Sequence, residues 1–413
     1  MSINLVSSST HFKCGHTRLT SFSLVYTKIK TQLSIPPHID LVSMSWPVES
    51  KDIPDALHKR LVYTCKTRDN YTLTMQRCCA CTTEGTIIAH TQTHPVILCH
   101  GFASNRFTFD LNTDVSVANY LADKGWDTWL IELRGSGKNN EITSNKPTSL
   151  VRASDWLDVR STTAGSRVET GEHRHDWDFS DHVEDCRAII AYVNFITSRP
   201  VHFIGHSMGA MLLQCCAGGE SGKKRMIRSG VHIAGAVVME SSHWTYFKWL
   251  WPIVKHFGTI HPEYIQKVLA PLSFGFNNYW EELFFHHKNV DAQVACKMFR
   301  KNWEPISTAL IDQLRFCVEK SGIYKQDGTR YSTSLKSIKS PQLILAGTVD
   351  EQCHPVNMVN LNKIMSGCSV YKLIGKASGH EEEYGHFDLI VGKNAKVEVW
   401  DIVSNFLEKH DSV

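Results

Sequence analysis

One short segment constrains the fold of this chain more than any other. Residues 205–209 are Gly-His-Ser-Met-Gly, and they follow directly on the apolar run at 201–204. A helical pattern begins immediately afterwards and carries apolar residues through position 216. A serine between two closely spaced glycines is typical of a tight strand-to-helix turn, because larger side chains at the glycine positions would collide with the strand and the helix. The segment therefore predicts a strand–turn–helix unit with Ser207 at its tip.

Strand and helix patterns alternate along most of the chain. Two β-rich runs, at 60–65 and 71–78, predict a hairpin near the start. Apolar runs of the kind found in strands buried on both faces occur at 95–99, 127–133, 201–204, 232–239, 342–346 and 370–373. Helical patterns separate or follow them at 115–124, 176–196, 207 onward and 394–407. The alternation predicts an α/β fold with a mostly parallel central sheet and helices on both faces.

Two regions depart from this alternation. Residues 138–174 are polar and irregular, which predicts a long surface loop, whereas 241–338 are mainly helical in pattern. The second region opens with an aromatic cluster: Trp244, Tyr246, Phe247, Trp249 and Trp251. We therefore predict an inserted helical cap at 241–338, between a first core segment at 55–240 and a second at 339–413.

The N-terminal segment, residues 1–54, is predicted to be a tail outside the core. Its first 39 residues contain no Asp or Glu and are rich in Ser and Thr. This composition is typical of an organellar transit peptide. A disordered tail, or a true start at Met44, is the alternative.

Composition excludes several classes of function. The 44 Lys and Arg residues nearly balance 41 Asp and Glu, for a net charge of +3, so no basic field indicates a nucleic-acid partner. The 13 cysteines lack a disulfide-like spacing and favour reduced, buried thiols in an intracellular compartment, either cytoplasmic or organellar. A metal site at Cys78, Cys79 and Cys81 is disfavoured, because no second ligand pair stands at a zinc-like spacing.

The context of Ser207 makes it a candidate nucleophile, with a buried turn serine as the alternative. The loop His100-Gly101-Phe102 follows an earlier central strand, and a simple strand-ending turn is its alternative interpretation. In folds with this motif such a loop supplies one oxyanion-binding amide, and the residue after the nucleophile supplies the other. The backbone amides of Phe102 and Met208 are therefore the predicted oxyanion donors.

A serine nucleophile requires a base, and the base requires an orienting acid. The expected chain order is serine, acid, histidine. Asp350 follows the apolar run at 342–346 and is the preferred acid, with its neighbour Glu351 as the alternative. His386 lies directly before the last helical pattern and is preferred as base over His380, which precedes three consecutive glutamates.

Together these motifs resemble the α/β-hydrolase superfamily, and within it the acid lipase branch of lysosomal and gastric lipases. The stretch 121–130, the Trp-Asp-Phe-Ser segment at 177–180 and the ending His-Phe-Asp at 386–388 carry the closer resemblance. It implies Ser207 as nucleophile, Asp350 as acid and His386 as base. It implies no metal and no organic cofactor. The supporting motif residues are His100, Gly101, Gly205, His206 and Gly209. Acid lipases usually have Gln at the position of Met208.

The implied reaction is hydrolysis of a carboxylic ester, with a small-molecule or lipid ester as substrate. The aromatic residues of the cap suit acyl chains or contact with a lipid surface, although they equally suit packing of the cap on the core. A serine aminopeptidase-like enzyme and an acyltransferase share the same expected triad. A small-molecule binding protein on this scaffold is the non-enzyme alternative. The sequence does not indicate an oligomeric state.

Overall fold

The computed structural model describes residues 47–137, 139, 157–159, 177–219, 225–238, 257–260, 262, 279–325, 328–365 and 367–412. Nine of its strands form one sheet in the order β1-β2-β3-β5-β4-β7-β8-β11-β12. The strands of this sheet are β1 Val48–Ser50, β2 His58–Lys66, β3 Thr72–Ala80, β4 Val96–Cys99, β5 Thr128–Ile131, β7 Val201–His206, β8 Ile227–Ile233, β11 Gln342–Gly347 and β12 Ser369–Ile374.

The strand directions match the predicted fold class. Strands β5, β4, β7, β8, β11 and β12 run parallel to one another, whereas β1, β2 and β3 pair antiparallel at one side. The carboxyl ends of the parallel strands therefore lie along one edge of the sheet. In open α/β sheets this is the edge at which active sites form.

Helices pack against the strands that they follow. Helix α3 contacts β7 and β8, while α7 contacts β11 and β12. The helices among the described residues are α1 Val117–Asp123, α2 Phe179–Thr197, α3 Met208–Gly218, α4 Tyr279–Phe284, α5 Ala292–Lys301, α6 Thr308–Glu319, α7 Pro355–Ile364, α8 Asp388–Val391 and α9 Asp401–Asp411. None of them is long and apolar enough to cross a membrane.

Helix α2 illustrates how the sequence specifies an element. The Asp178 side chain accepts hydrogen bonds from the amides of Ser180 and Asp181, at 2.7 and 3.1 Å. The Asp181 carboxylate in return accepts the Asp178 amide at 2.9 Å, which completes a capping box. The apolar positions of the predicted helical stripe are all buried, namely Val183, Cys186, Ile189, Ile190 and Val193.

Strand β8 lies several residues earlier in the chain than we predicted. We expected a strand at 232–239, whereas β8 spans Ile227–Ile233 and residues 234–238 form a buried loop. The first half of β8 contains Arg228, Ser229 and Gly230, which interrupt an apolar pattern. Ser229 is nevertheless fully buried, because its hydroxyl hydrogen-bonds Nδ1 of His202 on the neighbouring strand at 2.7 Å.

Three further strands form a second, smaller sheet. They are β6 Leu157–Val159, β9 Phe257–Ile260 and β10 Ile306–Ser307, in the order β10-β9-β6. Strand β6 lies inside the region predicted as a surface loop, and β9 and β10 lie inside the predicted cap. The described part of the cap region thus carries strands as well as helices α4, α5 and α6.

The folded core also begins earlier than predicted. Strand β1 lies within the segment predicted as a tail, residues 1–54, and pairs with β2. The Asp52 carboxylate forms an ion pair with the buried Arg106 at 2.7 Å. The predicted transit peptide, Met44 and the aromatic cluster that opens the cap lie outside the described residues.

Candidate active site

Ser207 lies at the tip of a sharp turn between β7 and α3. Its backbone has φ 55° and ψ −122°, a left-handed conformation that a non-glycine residue rarely adopts. The Ser207 amide donates to the carbonyl of Ile233 at 2.8 Å, which ties the turn to β8. The strain is thus held by the neighbouring strand, as expected for a serine exposed at the end of a parallel strand.

The two glycines of the motif lie where no side chain fits. A Cβ at Gly205 would lie 2.3 Å from the carbonyl oxygen of Gly209, and a Cβ at Gly209 would lie 2.3 Å from the carbonyl oxygen of Cys99. A third glycine, Gly235, approaches the turn from the loop after β8. A Cβ there would lie 2.0 Å from the Ser207 carbonyl oxygen, and no sequence motif had singled out this residue.

The predicted oxyanion loop passes directly beside Ser207. A Cβ added to Gly101 would lie 2.8 Å from the Cβ of Ser207, so only glycine allows this approach. The amide of Phe102 follows Gly101 in this loop. Met208 is the first residue of α3, and an amide in the first helical turn has no carbonyl partner within its own helix. The two predicted donor residues therefore flank the serine.

Asp350 and His386 meet at the carboxyl edge of the sheet. His386 Nδ1 lies 2.9 Å from Oδ2 and 3.1 Å from Oδ1 of Asp350, and both residues are buried. The Asp350 carboxylate also accepts the amides of Gln352 and Cys353, at 2.9 and 2.8 Å. With Nδ1–H donated to the carboxylate, a neutral His386 ring presents Nε2 as an acceptor.

The alternative acid and base are placed differently. His380 Nδ1 lies 3.1 Å from the carbonyl oxygen of Gly375 in its own loop. Glu351 directly follows Asp350, and the carboxylate that hydrogen-bonds the His386 ring is that of Asp350. The structure thus brings His386 together with Asp350.

His206 connects the serine turn to the histidine loop. Its Nε2 lies 3.0 Å from the His386 carbonyl oxygen, so Nε2–H donates to that carbonyl. The ring centroids of His206 and His386 are 4.7 Å apart. Burial lowers the pKa of His206 well below its usual value, and the ring therefore stays neutral beside His386. The sequence identified His206 only as a residue of the motif and did not predict its contact with the His386 carbonyl.

His100 forms hydrogen bonds that stabilise the start of the predicted oxyanion loop. Its Nδ1 lies 3.0 Å from the carbonyl oxygen of Gly101, and its Nε2 accepts the Leu133 amide at 3.3 Å. Burial lowers the pKa of His100, so the neutral ring can accept at Nε2 while it donates at Nδ1. His100 therefore holds the turn after β4 against the end of β5.

A segment of the cap region contacts the loops of both Asp350 and His386. We call residues 283–289 the strap. The Leu283 carbonyl accepts from Nε2 of Gln352 at 3.0 Å, beside Asp350. The Phe284 carbonyl accepts the amide of Phe387 at 3.0 Å, directly after His386. These partners lie about 70 to 100 positions apart in the chain, and no local pattern in the sequence indicates them.

Asp388 completes the link between the strap and the histidine loop. Its Oδ2 accepts the amide of His286 in the strap at 2.8 Å and also the amide of Gly385. Its Oδ1 is buried and has no hydrogen-bond partner among the described residues. Burial raises the pKa of the Asp388 carboxyl well above its usual value, although the two amides oppose that shift.

Metal-binding side chains converge at two places among the described residues. One group is His94, His202 and Asp411, all buried at the edge opposite the Asp350–His386 pair, and the other is Glu282, His286 and His287. The cluster Cys78, Cys79 and Cys81 belongs to neither group.

The sheet order agrees with the comparison to known families. The model of the α/β-hydrolase fold family matches residues 94–393, well over half of the chain. The chain belongs to the α/β-hydrolase fold family. A search among curated proteins found no match.

Solved structures of α/β-hydrolases resemble this chain in fold at low sequence identity. An esterase from Exiguobacterium antarcticum superposes with a TM-score of 0.50 at 14% identity, covering 84% of this chain and 98% of its own. A thermophilic esterase from Thermogutta terrifontis has a TM-score of 0.50 at 13% identity, with the same two coverages of 84% and 98%. At these identities the likeness concerns the fold.

Proposed function

We propose that this protein is a serine hydrolase that cleaves carboxylic esters, with Ser207, His386 and Asp350 as its catalytic triad. The observation that carries the proposal is the left-handed Ser207 turn, which is joined through His206 to the loop of a buried His386–Asp350 pair. The Ser207 backbone has φ 55°, and His386 Nδ1 lies 2.9 Å from the Asp350 carboxylate. The esterase activity named for the two similar structures supports the same reaction class.

In the proposed mechanism, Nε2 of His386 takes the proton of the Ser207 hydroxyl as the oxygen attacks the ester carbonyl. The Asp350 carboxylate holds Nδ1–H and stabilises the imidazolium that forms. The amides of Phe102 and Met208 stabilise the oxyanion, and the loss of one such donor typically costs about 3–4 kcal/mol of transition-state stabilisation. His386 then protonates the departing alcohol. Water, activated in turn by His386, releases the acid from Ser207.

We further propose an acyl or lipid ester as the substrate. Aromatic rings gather beside the base loop, where Phe387 follows His386 directly. Phe285 and Phe284 lie with ring centroids 5.7 and 6.4 Å from that of Phe387, and Trp303 lies 5.3 Å from Phe284. Apolar walls with few polar groups suit the acyl chain of an ester. Contact with a lipid surface through the cap belongs to the same proposal.

A fluorophosphonate probe tests the nucleophile directly. We expect a covalent adduct on Ser207, located by peptide mass spectrometry, and none in Ser207→Ala. An unlabelled but folded wild-type protein, or an adduct on a different serine, would remove Ser207 from the mechanism. A p-nitrophenyl ester panel of graded chain length then measures the acyl preference. Turnover of aminoacyl amides in place of these esters would favour a peptidase.

Two matched pairs of variants test the acid and the base. Asp350→Asn is expected to lower kcat by about 10⁴-fold, because it reverses the histidine tautomer, whereas Glu351→Gln changes kcat little. His386→Gln should abolish turnover while His380→Gln retains it. A large loss in Glu351→Gln or His380→Gln, with little loss in its partner, would reassign that role.

A further inference from the structure

A second cluster of reactive side chains lies where helix α4 enters the strap. Glu282 belongs to α4, and His286 and His287 follow it by four and five positions. Nδ1 of His286 lies 3.4 Å from Oε2 of Glu282, and Nδ1 of His287 hydrogen-bonds the other oxygen of the same carboxylate. One ligand atom from each residue lies within 4.8 Å of the other two.

We propose that Glu282, His286 and His287 bind one divalent transition-metal ion, with Zn²⁺ as the first candidate. Two imidazole nitrogens and one carboxylate oxygen form a common zinc ligand set, with water in the fourth position. Zinc bonds to these atoms are about 2.1 Å long, so tetrahedral donors lie roughly 3.4 Å apart. The spacing between His286 Nδ1 and Glu282 Oε2 already matches that value at 3.4 Å.

Solvent access distinguishes this cluster from the other candidate group. The side chains of Glu282, His286 and His287 are 35%, 16% and 34% exposed. At the opposite edge of the sheet, His202 and Asp411 are 0% and 8% exposed. The Asp411 carboxylate there also accepts two backbone amides, from Thr93 and His94, at 2.7 and 2.9 Å. A metal ion from solution therefore reaches Glu282 with less rearrangement.

Charges of both signs lie near the cluster, and the Glu282 carboxylate is the anion that a cation would contact. The carboxylate of Glu382 interacts with His286, and it is itself paired with Lys376 at 2.9 Å. Lys288 follows His287 in the strap and adds a positive charge nearby. The Glu282 carboxylate is the anion that the two imidazoles share, and a bound cation would replace the protons in those contacts.

Metal binding at this place restrains the strap. The backbone amide of His286 donates to Asp388 at 2.8 Å, two residues beyond His386. A ligated His286 side chain thus anchors the same residue whose main chain holds the histidine loop. The ion would lie outside the triad, with a structural effect on residues 283–289 and 385–388 rather than a part in the hydrolytic step.

Isothermal titration of the full chain with ZnCl₂, together with native mass spectrometry, tests the site. We expect one Zn²⁺ per chain and no comparable binding of Mg²⁺, which prefers oxygen ligands. His287→Ala and Glu282→Gln should each weaken binding by about tenfold or more. His354→Asn removes an exposed imidazole elsewhere, keeps a helix-capping side chain and should bind as wild type.

Three outcomes would overturn the proposal. They are the absence of stoichiometric binding, unchanged affinity in a folded His287→Ala, and loss of binding in His202→Gln in place of His287→Ala. The last result would move the ion to the buried group at the opposite edge. Because binding is measured without any substrate, these results are independent of hydrolase activity.

Hydrogen exchange tests the predicted restraint on the strap. Zn²⁺ should slow amide exchange at 283–289 and 385–388 in the wild type and leave exchange unchanged in His287→Ala. Exchange at these residues that Zn²⁺ does not alter, despite measured binding, would contradict the restraint. The circular dichroism of each variant without metal establishes that it is folded before titration.

Discussion

Gly209 occupies a position at which the backbone of a neighbouring strand end leaves no room for a side chain. A Cβ there would lie 2.3 Å from the carbonyl oxygen of Cys99 and 2.5 Å from that of His100. These carbonyls belong to a central strand and to the oxyanion loop, so they cannot move aside as a flexible side chain would. The contact joins the serine turn to the predicted oxyanion donors.

Gly209→Ala is therefore expected to destabilise the fold by about 1–3 kcal/mol, because overpacking shifts the backbone. It should also slow fluorophosphonate labelling, since Ser207 and Phe102 would move apart. Urea denaturation and labelling rates measure the two effects. Gly367→Ala is the control, because a Cβ there meets nothing within 4 Å. Equal stability of the two variants would contradict the predicted clash.

Asp388 is a buried carboxyl two residues after His386, and burial raises its pKa well above the usual value. Below the pKa of the unfolded chain, about 4, both states are protonated and the residue adds no penalty. As the pH rises above that value, the unfolded chain releases the proton while the folded protein retains it. Asp388 therefore makes the free energy of unfolding decrease as the pH rises.

Asp388→Asn removes this dependence while keeping an oxygen that can accept the amides of Gly385 and His286. Above about pH 4 the variant should gain stability relative to wild type as the pH rises, by up to about 1.4 kcal/mol per pH unit. Urea denaturation at several pH values measures the difference. Parallel pH profiles for the two proteins would show that Asp388 is ionised in the fold.

At the residue scale, the sequence indicated which polar or small residues lie just beyond the ends of buried strands. Ser207, Asp350 and the Gly101 loop each come directly after a buried apolar run, and parallel strands carry such positions to one edge. It did not predict Gly235, whose approach to the Ser207 carbonyl depends on how the loop after β8 returns. Contacts of this kind depend on packing between distant segments and leave no local pattern.

Among the elements, β8 shows why periodicity misplaced one strand. Its buried polar side chains pair across the sheet: Ser229 hydrogen-bonds His202 at 2.7 Å, and His232 Nε2 lies 2.7 Å from Oε1 of Gln342. Partners on neighbouring strands satisfy the polar atoms, so the strand can be buried without being apolar. A single sequence does not reveal such partners, whereas the apolar strands β4 and β7 were predicted within two residues.

The last helix, α9, is joined to the sheet through Asp411. Its carboxylate accepts the amides of Thr93 and His94 and lies 2.9 Å from Nδ1 of His94. Burial opposes the charged form, but hydrogen bonds from His202, Thr93 and His94 hold the pKa of Asp411 well below its usual value. The charged form therefore stabilises the fold above the unfolded pKa, about 4, and this contribution is lost as the pH falls below it.

Asp411→Asn should lower the free energy of unfolding at pH 7 by about 1.5–3 kcal/mol, the usual contribution of hydrogen bonds to a charged group. The difference from wild type should stay constant down to about pH 5 and shrink below about pH 4. Urea denaturation at these pH values measures it. Glu408→Gln, on the same helix, is the control and should cost little. A deficit that persists unchanged at low pH would exclude the charged contacts as its cause.

At the scale of the molecule, most thiols among the described residues are kept from solvent. Of twelve free cysteines in this part of the chain, ten are buried, and Cys296 and Cys368 are half-buried. Burial raises the pKa of Cys78, Cys186 and Cys353 well above the usual value, so these thiols are poor nucleophiles.

Iodoacetamide should therefore label Cys296 and Cys368 first among the described cysteines in the native protein. Cys368 should react more slowly than a freely exposed thiol, because burial raises the pKa of its thiol. Peptide mass spectrometry after short labelling distinguishes them, and labelling in urea should reach all thirteen cysteines of the chain. Early modification of Cys186 or Cys353 would show that the core opens far more readily than its packing indicates.

The strap hydrogen-bonds the loops of Asp350 and His386 through its main chain, with carbonyls at 283 and 284 and an amide at 286. A peptide group is the same whichever side chain its residue carries. The rings at 284 and 285 can therefore be exchanged while the attachment of the triad loops is inherited unchanged. Natural or laboratory selection for new substrates would therefore accumulate substitutions along the strap. Side chains there can change substrate selectivity while the backbone contacts to the Asp350 and His386 loops remain.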